Sequence, residues 1–215
     1  QTLTYDHTWN EHHITALGGY TAEERNGIWL GGSRENFPGT ADEILYLSAG
    51  NDTTQMNFQG ANDEALTSLL FRVNYTFKNK YLLTVSMRSD KSSRFTKANR
   101  TGNFPSASVG WNMTDESFVQ GLDFLDRLKL RASYGVLGNQ ASASGYPSTG
   151  AVSSALYGIF GPDESLNQGA TLLSLSNANL QWETSRQADI GVEMGFFDGR
   201  LAIEVDWYNR ETYDI

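Results

Sequence analysis

The chain contains no cysteine and only four prolines among its 215 residues. Without cysteine it has no disulfide framework and no thiolate metal site. No apolar run approaches the roughly 18 residues that a membrane-spanning helix requires, so the sequence predicts no such helix. Basic residues are also few, since 16 Lys and Arg face 25 Asp and Glu and leave a net charge of −9. An acidic chain without basic clusters argues against nucleic acid as a partner.

Motifs for catalysis and cofactor binding are missing as well. The sequence has no GxSxG, HExxH, phosphate-binding P-loop or GxGxxG pattern, which are the short signatures of the commonest such sites. The three histidines are His7, His12 and His13. Neighbouring strand residues point to opposite faces, so His12 and His13 are poorly placed to share a metal ion. We therefore predict no enzyme activity, no catalytic residue, no cofactor and no metal site.

Residues 69–88 are the most informative segment that is present. Apolar side chains occupy every second position on both sides of Lys78-Asn79-Lys80. Successive side chains of a strand point to opposite faces, so this pattern predicts a β-hairpin with one apolar and one mostly polar face. Arms of about ten residues match the roughly 9–11 residues with which a barrel strand crosses the outer membrane.

The same alternation predicts about eight strands in an all-β, antiparallel fold. The predicted strands are 1–9, 12–24, 69–77, 81–88, 104–113, 128–136, 180–195 and 201–213. Short turns are expected at 10–11, 78–80, 114–126 and 197–199, and longer polar connections at 26–63, 90–103 and 138–179. Gly18-Gly19 suggests a bulge or bend within the second strand.

Connections that alternate between short and long favour a transmembrane β-barrel wall over a soluble sandwich. Outer-membrane barrels place short turns on the periplasmic side and long loops outside. The apolar faces would then meet lipid and the polar faces would line a lumen. A self-contained small barrel with a structural or adhesion role and a secreted carbohydrate-binding β-sandwich remain open alternatives. Four aromatic residues near strand ends fit the expected interfacial girdles, namely Tyr81, Trp111, Trp182 and Trp207.

Two sets of motifs, in order and at matching spacing, carry a family resemblance. The first set is RSDKSSRF (88–95), NR (99–100), FPSASVGW (104–111), ESF (116–118), LKLRASYG (128–135) and GNQ (138–140). The second set is NANLQWET (177–184), DIGV (189–192), FFDGRL (196–201) and DWYN (206–209) with Thr212. Together they resemble the barrel of SusC/RagA-type TonB-dependent transporters from Bacteroidota outer membranes. Lys91 and Thr96 stand where that family usually has glycine, and Ala178 where it usually has proline.

The resemblance implies a barrel of about 22 strands around a plugged lumen. Residues 1–215 would form part of the TonB-dependent receptor β-barrel domain, and the plug domain is expected to be absent from this chain. The implied function is import of large nutrients, glycans or oligopeptides, across the outer membrane. The implied partners are a SusD-like surface lipoprotein, outer-membrane lipid, and TonB acting through the plug.

Candidate contacts to a substrate are few and come from the predicted long loops. Exposed aromatic rings beside polar side chains can stack on and hydrogen-bond a sugar or peptide. The candidates are Trp29, Tyr46, Tyr146 and Tyr157. Two pairs of carboxylates share the polar face, Glu204 with Asp206 and Asp189 with Glu193. We interpret them as wall charges balanced by cations of the same face, namely Lys129, Arg131, Arg72 and Arg88.

Overall fold

The protein folds into ten β-strands in a computed structural model that describes residues 1–42, 46–114, 116–141, 150, 152–172 and 176–214. Two short 3-10 turns lie wholly within these described residues, Leu47–Ala49 and Asp52–Thr54. The strands are β1 (Thr2–Trp9), β2 (His12–Ser33), β3 (Met56–Phe77), β4 (Tyr81–Ser92), β5 (Thr101–Asn112), β6 (Leu125–Asn139), β7 (Val152–Phe160), β8 (Ser165–Leu172), β9 (Glu183–Phe196) and β10 (Leu201–Tyr213). No helix in the described part of the chain is long and apolar enough to cross a membrane.

Eight strands form one sheet in the order β1-β2-β3-β4-β5-β6-β9-β10. Every recorded pairing between them is antiparallel. Strands β7 and β8 form a separate two-stranded sheet. Contacts divide the chain into two compact units, Gln1–Ala22 with Leu66–Ile215, and Glu23–Ala65. The first unit carries most of the sheet, and the second contains the distal parts of β2 and β3 with the connection between them.

The predicted hairpin of residues 69–88 is confirmed in register. Phe77 pairs with Tyr81, Val73 with Val85, and Leu69 with Ser89. Lys78 and Asn79 have φ values of 54° and 56°, as turns that match the twist of a tight hairpin require. Leu69, Phe71, Leu83, Val85 and Met87 are exposed on the apolar face. The hairpin therefore presents its apolar side chains outward instead of burying them in a core.

The two faces continue across the following strands without exchanging sides. On the polar face Thr84 pairs with Ser108, Ser108 with Ser133, and Ser133 with Asp189. On the apolar face Leu83 pairs with Val109, Val109 with Ala132, and Ala132 with Ile190. The second hairpin turn also agrees with the prediction, since Phe197, Asp198 and Gly199 all have positive φ.

Several predicted boundaries are wrong. The segment 26–63 was expected to be a loop, but β2 continues to Ser33 and β3 begins at Met56. Strands of 22 residues exceed the roughly 9–11 needed to cross a bilayer. The sequence signal fails there because polar residues such as Asn26 and Asn62 interrupt the alternation, while pairing with the neighbouring strand satisfies the backbone. The bulge expected at Gly18-Gly19 is absent from the β1–β2 pairing, which runs there without a shift.

The loop segment 138–179 was also predicted without strands and is partly wrong. It contains β7 and β8, which pair as a hairpin with Ile159 opposite Leu166. Connection lengths depart from strict alternation too, because residues 93–100 between β4 and β5 are fewer than residues 113–124 between β5 and β6. The cause is extension of β4 and β5 by pairing as far as Lys91 with Thr101.

The register can be tested by cysteine labelling of Val73→Cys and its neighbour Asn74→Cys in the full-length protein. Asn74 lies on the polar face, where its Oδ1 accepts a hydrogen bond from Thr84 Oγ1 at 2.9 Å. We expect a polarity-sensitive fluorophore to report lipid at Val73→Cys and water at Asn74→Cys. The reverse pattern would mean that the strand is shifted by one residue, which moves every side chain to the other face.

Candidate functional site

A buried aromatic cluster lies at the end of the first unit where residues 93–100 connect β4 to β5. Each of its three rings belongs to one of the motifs identified in the sequence. Phe95, Phe104 and Trp182 are all at least nine-tenths buried. The Phe95 and Trp182 ring centroids lie 5.0 Å apart, and Phe104 meets Trp182 edge to face at 5.4 Å. Half-buried apolar side chains surround the three rings, namely Leu66, Val136 and Leu180. Segments far apart in sequence thus share one small hydrophobic core.

Hydrogen bonds to backbone carbonyls hold the same segments together. Trp182 Nε1 donates to the Arg100 carbonyl at 3.2 Å, and Asn99 Nδ2 donates to the Leu180 carbonyl at 3.1 Å. Arg94 Nη1 reaches the Gln140 carbonyl at 3.3 Å. Thr96 Oγ1 donates to the Ala178 carbonyl at 3.4 Å, so two of the positions that depart from the family pattern contact each other. These contacts anchor the 93–100 connection to the chain segment that precedes β9.

A buried polar group lies beside the strands that support this cluster. Arg88 Nε donates to both carboxylate oxygens of Asp90 at 2.8 Å, and Arg88 Nη2 donates to Ser68 Oγ at 3.2 Å. Asp90 and Ser68 are almost completely buried. A charge removed from water is tolerated when it is paired and hydrogen-bonded, and the Arg88–Asp90 pair meets both conditions.

The polar face of β3, β4, β5, β6 and β9 forms a groove of about 760 Å³ next to the cluster. Its middle is lined by the hydroxyl groups of Thr84, Ser86, Ser106, Ser108 and Ser133. Ser86 Oγ and Ser106 Oγ are 2.6 Å apart, and Ser133 Oγ donates to Asp189 at 3.2 Å. Hydroxyl groups both donate and accept hydrogen bonds, so this surface suits a polar, hydrated ligand.

A network of ion pairs occupies the polar face nearer the short turns. Glu193 pairs with Arg127, with Lys129 at 3.5 Å and with Arg131 at 3.8 Å. Arg131 also contacts Glu204 and lies 2.7 Å from Asp206. The network joins three strands, β6, β9 and β10, across the sheet. No acid in it is left without a cation, which argues for a structural role and against acid–base chemistry.

The predicted balance of wall charges is therefore correct only in part. Lys129 and Arg131 neutralise Glu193, Glu204 and Asp206 as expected. Arg88 instead pairs with Asp90, and Asp189 is hydrogen-bonded by the neutral Ser133 and Gln187. Alternation gives the face of each residue but not the partner that a long side chain reaches. Arg127 reaches Glu193 diagonally across two strands, and Arg88 reaches Asp90, the next residue on the same face of β4.

Aromatic rings form a ladder along the short-turn end of the apolar face. Trp9 stacks on His12, His12 on Phe77, Phe77 on Tyr81, and Tyr81 on Trp111, with centroid separations from 4.7 to 6.2 Å. The predicted girdle positions Tyr81 and Trp111 both belong to this ladder. Trp207 is 58% exposed within β10. Trp182 was wrongly assigned to a girdle, because it is buried in the aromatic cluster.

Glu116, in the connection between β5 and β6, binds the polar atoms of two rings of the ladder. Its carboxylate accepts hydrogen bonds from Trp111 Nε1 at 3.3 Å and Tyr81 Oη at 3.1 Å. Lys80 Nζ lies 3.3 Å away. These donors favour the charged form, with the bond from Trp111 contributing most, and they hold the pKa of Glu116 below its ordinary value.

The four loop candidates are not gathered into one site by the described contacts. In the second unit, Trp29 meets Phe58 edge to face at 5.8 Å, and both rings are about half exposed. Tyr46 is exposed beside a 3-10 turn. Tyr157 is exposed on β7, opposite Gln168. Tyr146 lies outside the described residues, and a substrate role for all four remains a prediction.

Glycine allows the Trp29 and Phe58 rings to lie against the backbone of the second unit. A Cβ added to Gly60 would come within 2.4 Å of the Trp29 ring, and one added to Gly31 within 2.0 Å of the Phe58 ring. Arg34 organises the connection in the same unit. Its guanidinium donates to the Ser48 carbonyl at 3.1 Å, to Asp52 at 2.5 Å and to Gln55 at 3.0 Å.

The histidines take part in local contacts on β2. His12 Nδ1 lies 2.7 Å from Tyr75 Oη within the aromatic ladder, whereas His13 Nδ1 lies 2.7 Å from Thr8 Oγ1. His13 Nε2 is 3.5 Å from Asp6. Across the described residues, no group of three His, Cys, Asp or Glu side chains is close enough to hold a metal ion.

Comparison with known proteins decides the family. The family model described as "TonB dependent receptor-like, beta-barrel" matches residues 1–215. The chain belongs to this family. TonB-dependent receptor P3 of Formosa agariphila is 36% identical over 214 residues, which cover 99% of this chain and 21% of that protein. TonB-dependent receptor SusC of Bacteroides thetaiotaomicron is 36% identical over 160 residues, 72% of this chain and 16% of SusC.

Solved structures agree with this membership of the TonB-dependent receptor family. The RagAB peptide transporter superposes with a TM-score of 0.80 at 30% identity, over 98% of this chain and 23% of that chain. The RagAB peptide importer in its "closed-closed" state has a TM-score of 0.81 at 29% identity. This chain spans about a fifth of the length of its curated relatives. It forms part of the wall of a larger outer-membrane β-barrel of the SusC/RagA type.

The family places each face and each end of the sheet relative to the membrane. In an outer-membrane barrel the apolar face meets lipid and the polar face lines the lumen. The groove and the ion-pair network are therefore luminal. Long loops lie outside and short turns in the periplasm, so the aromatic cluster is extracellular and the ring ladder forms part of the periplasmic girdle.

The role of the aromatic cluster can be tested with Trp182→Ala in the full-length protein. Deleting a buried tryptophan costs about 3–5 kcal/mol, which should release the 93–100 and 140–182 connections. We expect protease added to intact cells to cleave these loops at least tenfold faster, because cleavage follows the population of the open form. Trp207→Ala on the lipid face is the control and should leave the cleavage rate unchanged. Equal rates in all three proteins would contradict the anchoring role.

The Glu116 contacts predict a dependence of stability on pH. Because the folded-state pKa lies below the ordinary value of 4.5, the stabilisation is complete above that value and is lost as pH falls through the folded pKa. The melting temperature of wild type should exceed that of Glu116→Gln by a constant amount from pH 7 to about pH 5.5, and the difference should shrink below about pH 4.5. A difference that grows on acidification would have the wrong sign. Calorimetry of both purified proteins measures it.

Proposed function

We propose that this chain is part of a TonB-dependent transporter that imports large nutrients, glycans or oligopeptides, across the outer membrane. The observation that carries the proposal is the hydroxyl-lined luminal groove within a wall of the SusC/RagA type. Hydrogen-bonding groups along a lumen replace part of the hydration of a polar cargo while it passes. Relatives are named as receptors and, for RagAB, as a peptide transporter, which supports transport as the activity.

The partners we propose follow from the same family. A SusD-like surface lipoprotein would cover the extracellular end, and TonB would act through a plug region that is not part of residues 1–215. The anchored loops near Trp182 would offer the lipoprotein a defined surface, because the buried core and carbonyl hydrogen bonds limit their movement. The ion-pair network between β6, β9 and β10 would stiffen the wall while the plug moves. We propose no catalytic role.

Uptake by cells that carry the full-length transporter tests the proposal. Labelled oligopeptide or maltooligosaccharide should accumulate only when TonB and the proton gradient are present. Ser108→Trp projects a large ring into the groove and should at least halve the initial uptake rate. The adjacent Val109→Trp projects the same ring toward lipid, since Val109 is 54% exposed on the apolar face, and should keep the wild-type rate.

Two outcomes would overturn the transport proposal. One is uptake that does not need the full-length protein or TonB. The other is a full-length protein that stays monodisperse when it is purified without detergent, because a barrel wall with an apolar outer face needs lipid or detergent. Equal uptake by Ser108→Trp and wild type, with Val109→Trp unaffected, would show that the cargo does not pass along this groove.

A further inference from the structure

Two charged side chains of the luminal groove lack an oppositely charged partner among the described residues. Arg72 on β3 makes no ion pair and no hydrogen bond there, and its side chain is exposed in the groove. Asp189 on β9 is half-buried, and within the described part of the chain it accepts hydrogen bonds from Ser133 Oγ at 3.2 Å and Gln187 Nε2 at 3.0 Å. By contrast, Arg88 pairs with Asp90, and Arg131 pairs with Glu204 and Asp206.

The separation of these two charges follows from the strand order. Arg72 pairs with Ser86 on β4, and the sheet then continues through β5 and β6 to β9. Four steps of roughly 4.8 Å place the two strand positions roughly 19 Å apart. An extended peptide advances roughly 3.3–3.6 Å per residue. A ligand that contacts both charges would therefore be about five to six residues long.

The surface between the two charges is rich in hydrogen-bonding groups. Ser86 and Ser106 are joined at 2.6 Å, and Ser108 lies between Thr84 and Ser133 in the register of the sheet. Serine and threonine hydroxyls can pair with either the N–H or the C=O of a peptide backbone. Arg88 and Asp90 also line the groove, but they pair with each other at 2.8 Å. Among the described residues, the groove thus has a cation without an ion pair at one end, an anion without an ion pair at the other, and hydroxyl donors and acceptors in between.

We propose that this groove binds a zwitterionic oligopeptide with free termini, about five to six residues long. The peptide carboxylate lies at Arg72, its ammonium group at Asp189, and its backbone along the hydroxyl row. The inference rests on the proposed function, which it narrows from large nutrients to peptides. Complementary charges at both ends fix the orientation and register of a ligand, so the carboxyl terminus points toward β3.

Other ligand chemistries match the groove less well. A neutral oligosaccharide can use the hydroxyl row but gains nothing from Arg72 or Asp189. A polyanionic sugar gains from Arg72 and is repelled by Asp189. Arg131 and Arg210 share a second cavity of about 560 Å³ with Asp189, yet neither forms an ion pair with it in the described contacts. Asp189 therefore remains available to a ligand cation.

Calorimetric titration of the purified full-length transporter tests the proposal without any mutation. The probe is a synthetic peptide of six alternating alanine and serine residues with free termini. Capping its carboxyl terminus as an amide, or its amino terminus by acetylation, should each weaken binding on the order of tenfold, the scale of one charge-assisted hydrogen bond. Equal affinity for free and capped peptides would overturn the proposal.

Two variants assign the two ends. Arg72→Gln should weaken binding of the free peptide on the order of tenfold and leave binding of the amidated peptide unchanged, because the partner charge is already gone. Asp189→Asn should behave in the same way toward the acetylated peptide. Arg25→Gln is the matched control, since Arg25 is exposed and pairs with Glu23 in the second unit. If each variant weakens binding of the free, amidated and acetylated peptides equally, the assignment of the carboxyl terminus to Arg72 and the amino terminus to Asp189 is wrong.

Sugar probes separate failure of this inference from failure of the proposed function. Maltohexaose and hexagalacturonate are titrated into wild type and both variants and are tested for TonB-dependent uptake. Uptake of either sugar without binding of the peptide would contradict the peptide proposal but would still support the proposed transport function. If neither sugar is taken up and the peptide is neither bound nor taken up, the peptide proposal and the transport proposal are both wrong. Peptide binding that both variants leave intact would place the peptide elsewhere in the barrel.

Discussion

The register of antiparallel backbone pairing is the constraint on which every other feature of this wall depends. Side chains alternate between two faces with a period of two residues, so one choice of register decides the side of every residue at once. The pairs Val73 with Val85 and Asn74 with Thr84 separate the apolar from the polar face. Lipid contact, groove and ion-pair network are therefore three consequences of a single set of backbone hydrogen bonds.

The connections between strands are held in place by contacts that strand pairing does not provide. A connection outside the membrane gains no stability from lipid and must find its own core. Here Phe95, Phe104 and Trp182 provide one, although they come from three segments that are far apart in sequence. Family motifs that look separate along the chain serve this common packing site, and the indole N–H of Trp182 adds a bond to the Arg100 carbonyl.

Charges on the luminal face divide into two functional groups. Most are satisfied within the wall, as in the network around Glu193 and Arg131, and such pairs hold neighbouring strands in place. Arg72 and Asp189 have no oppositely charged partner among the described residues, and we propose that they bind the two ends of a peptide. A chain with net charge −9 thus presents local charges of both signs to its lumen, and local contacts matter more here than the overall charge.

Alternation and motif order alone were enough to predict the all-β class, the hairpin of residues 69–88, the two faces and the outer-membrane barrel family. These features follow from local periodicity and from turns such as Phe197-Asp198-Gly199, both of which can be recognised within a few neighbouring residues of the sequence. Only the tertiary structure decided that β2 and β3 continue far past the predicted ends, that β7 and β8 pair, that Trp182 is buried, and that Arg88 binds Asp90. The strand extensions and the burial of Trp182 depend on contacts between residues distant in sequence. The β7–β8 pairing and the Arg88–Asp90 bond are local, but alternation of apolar and polar residues predicts neither the pairing of a polar segment nor the partner that a long side chain reaches.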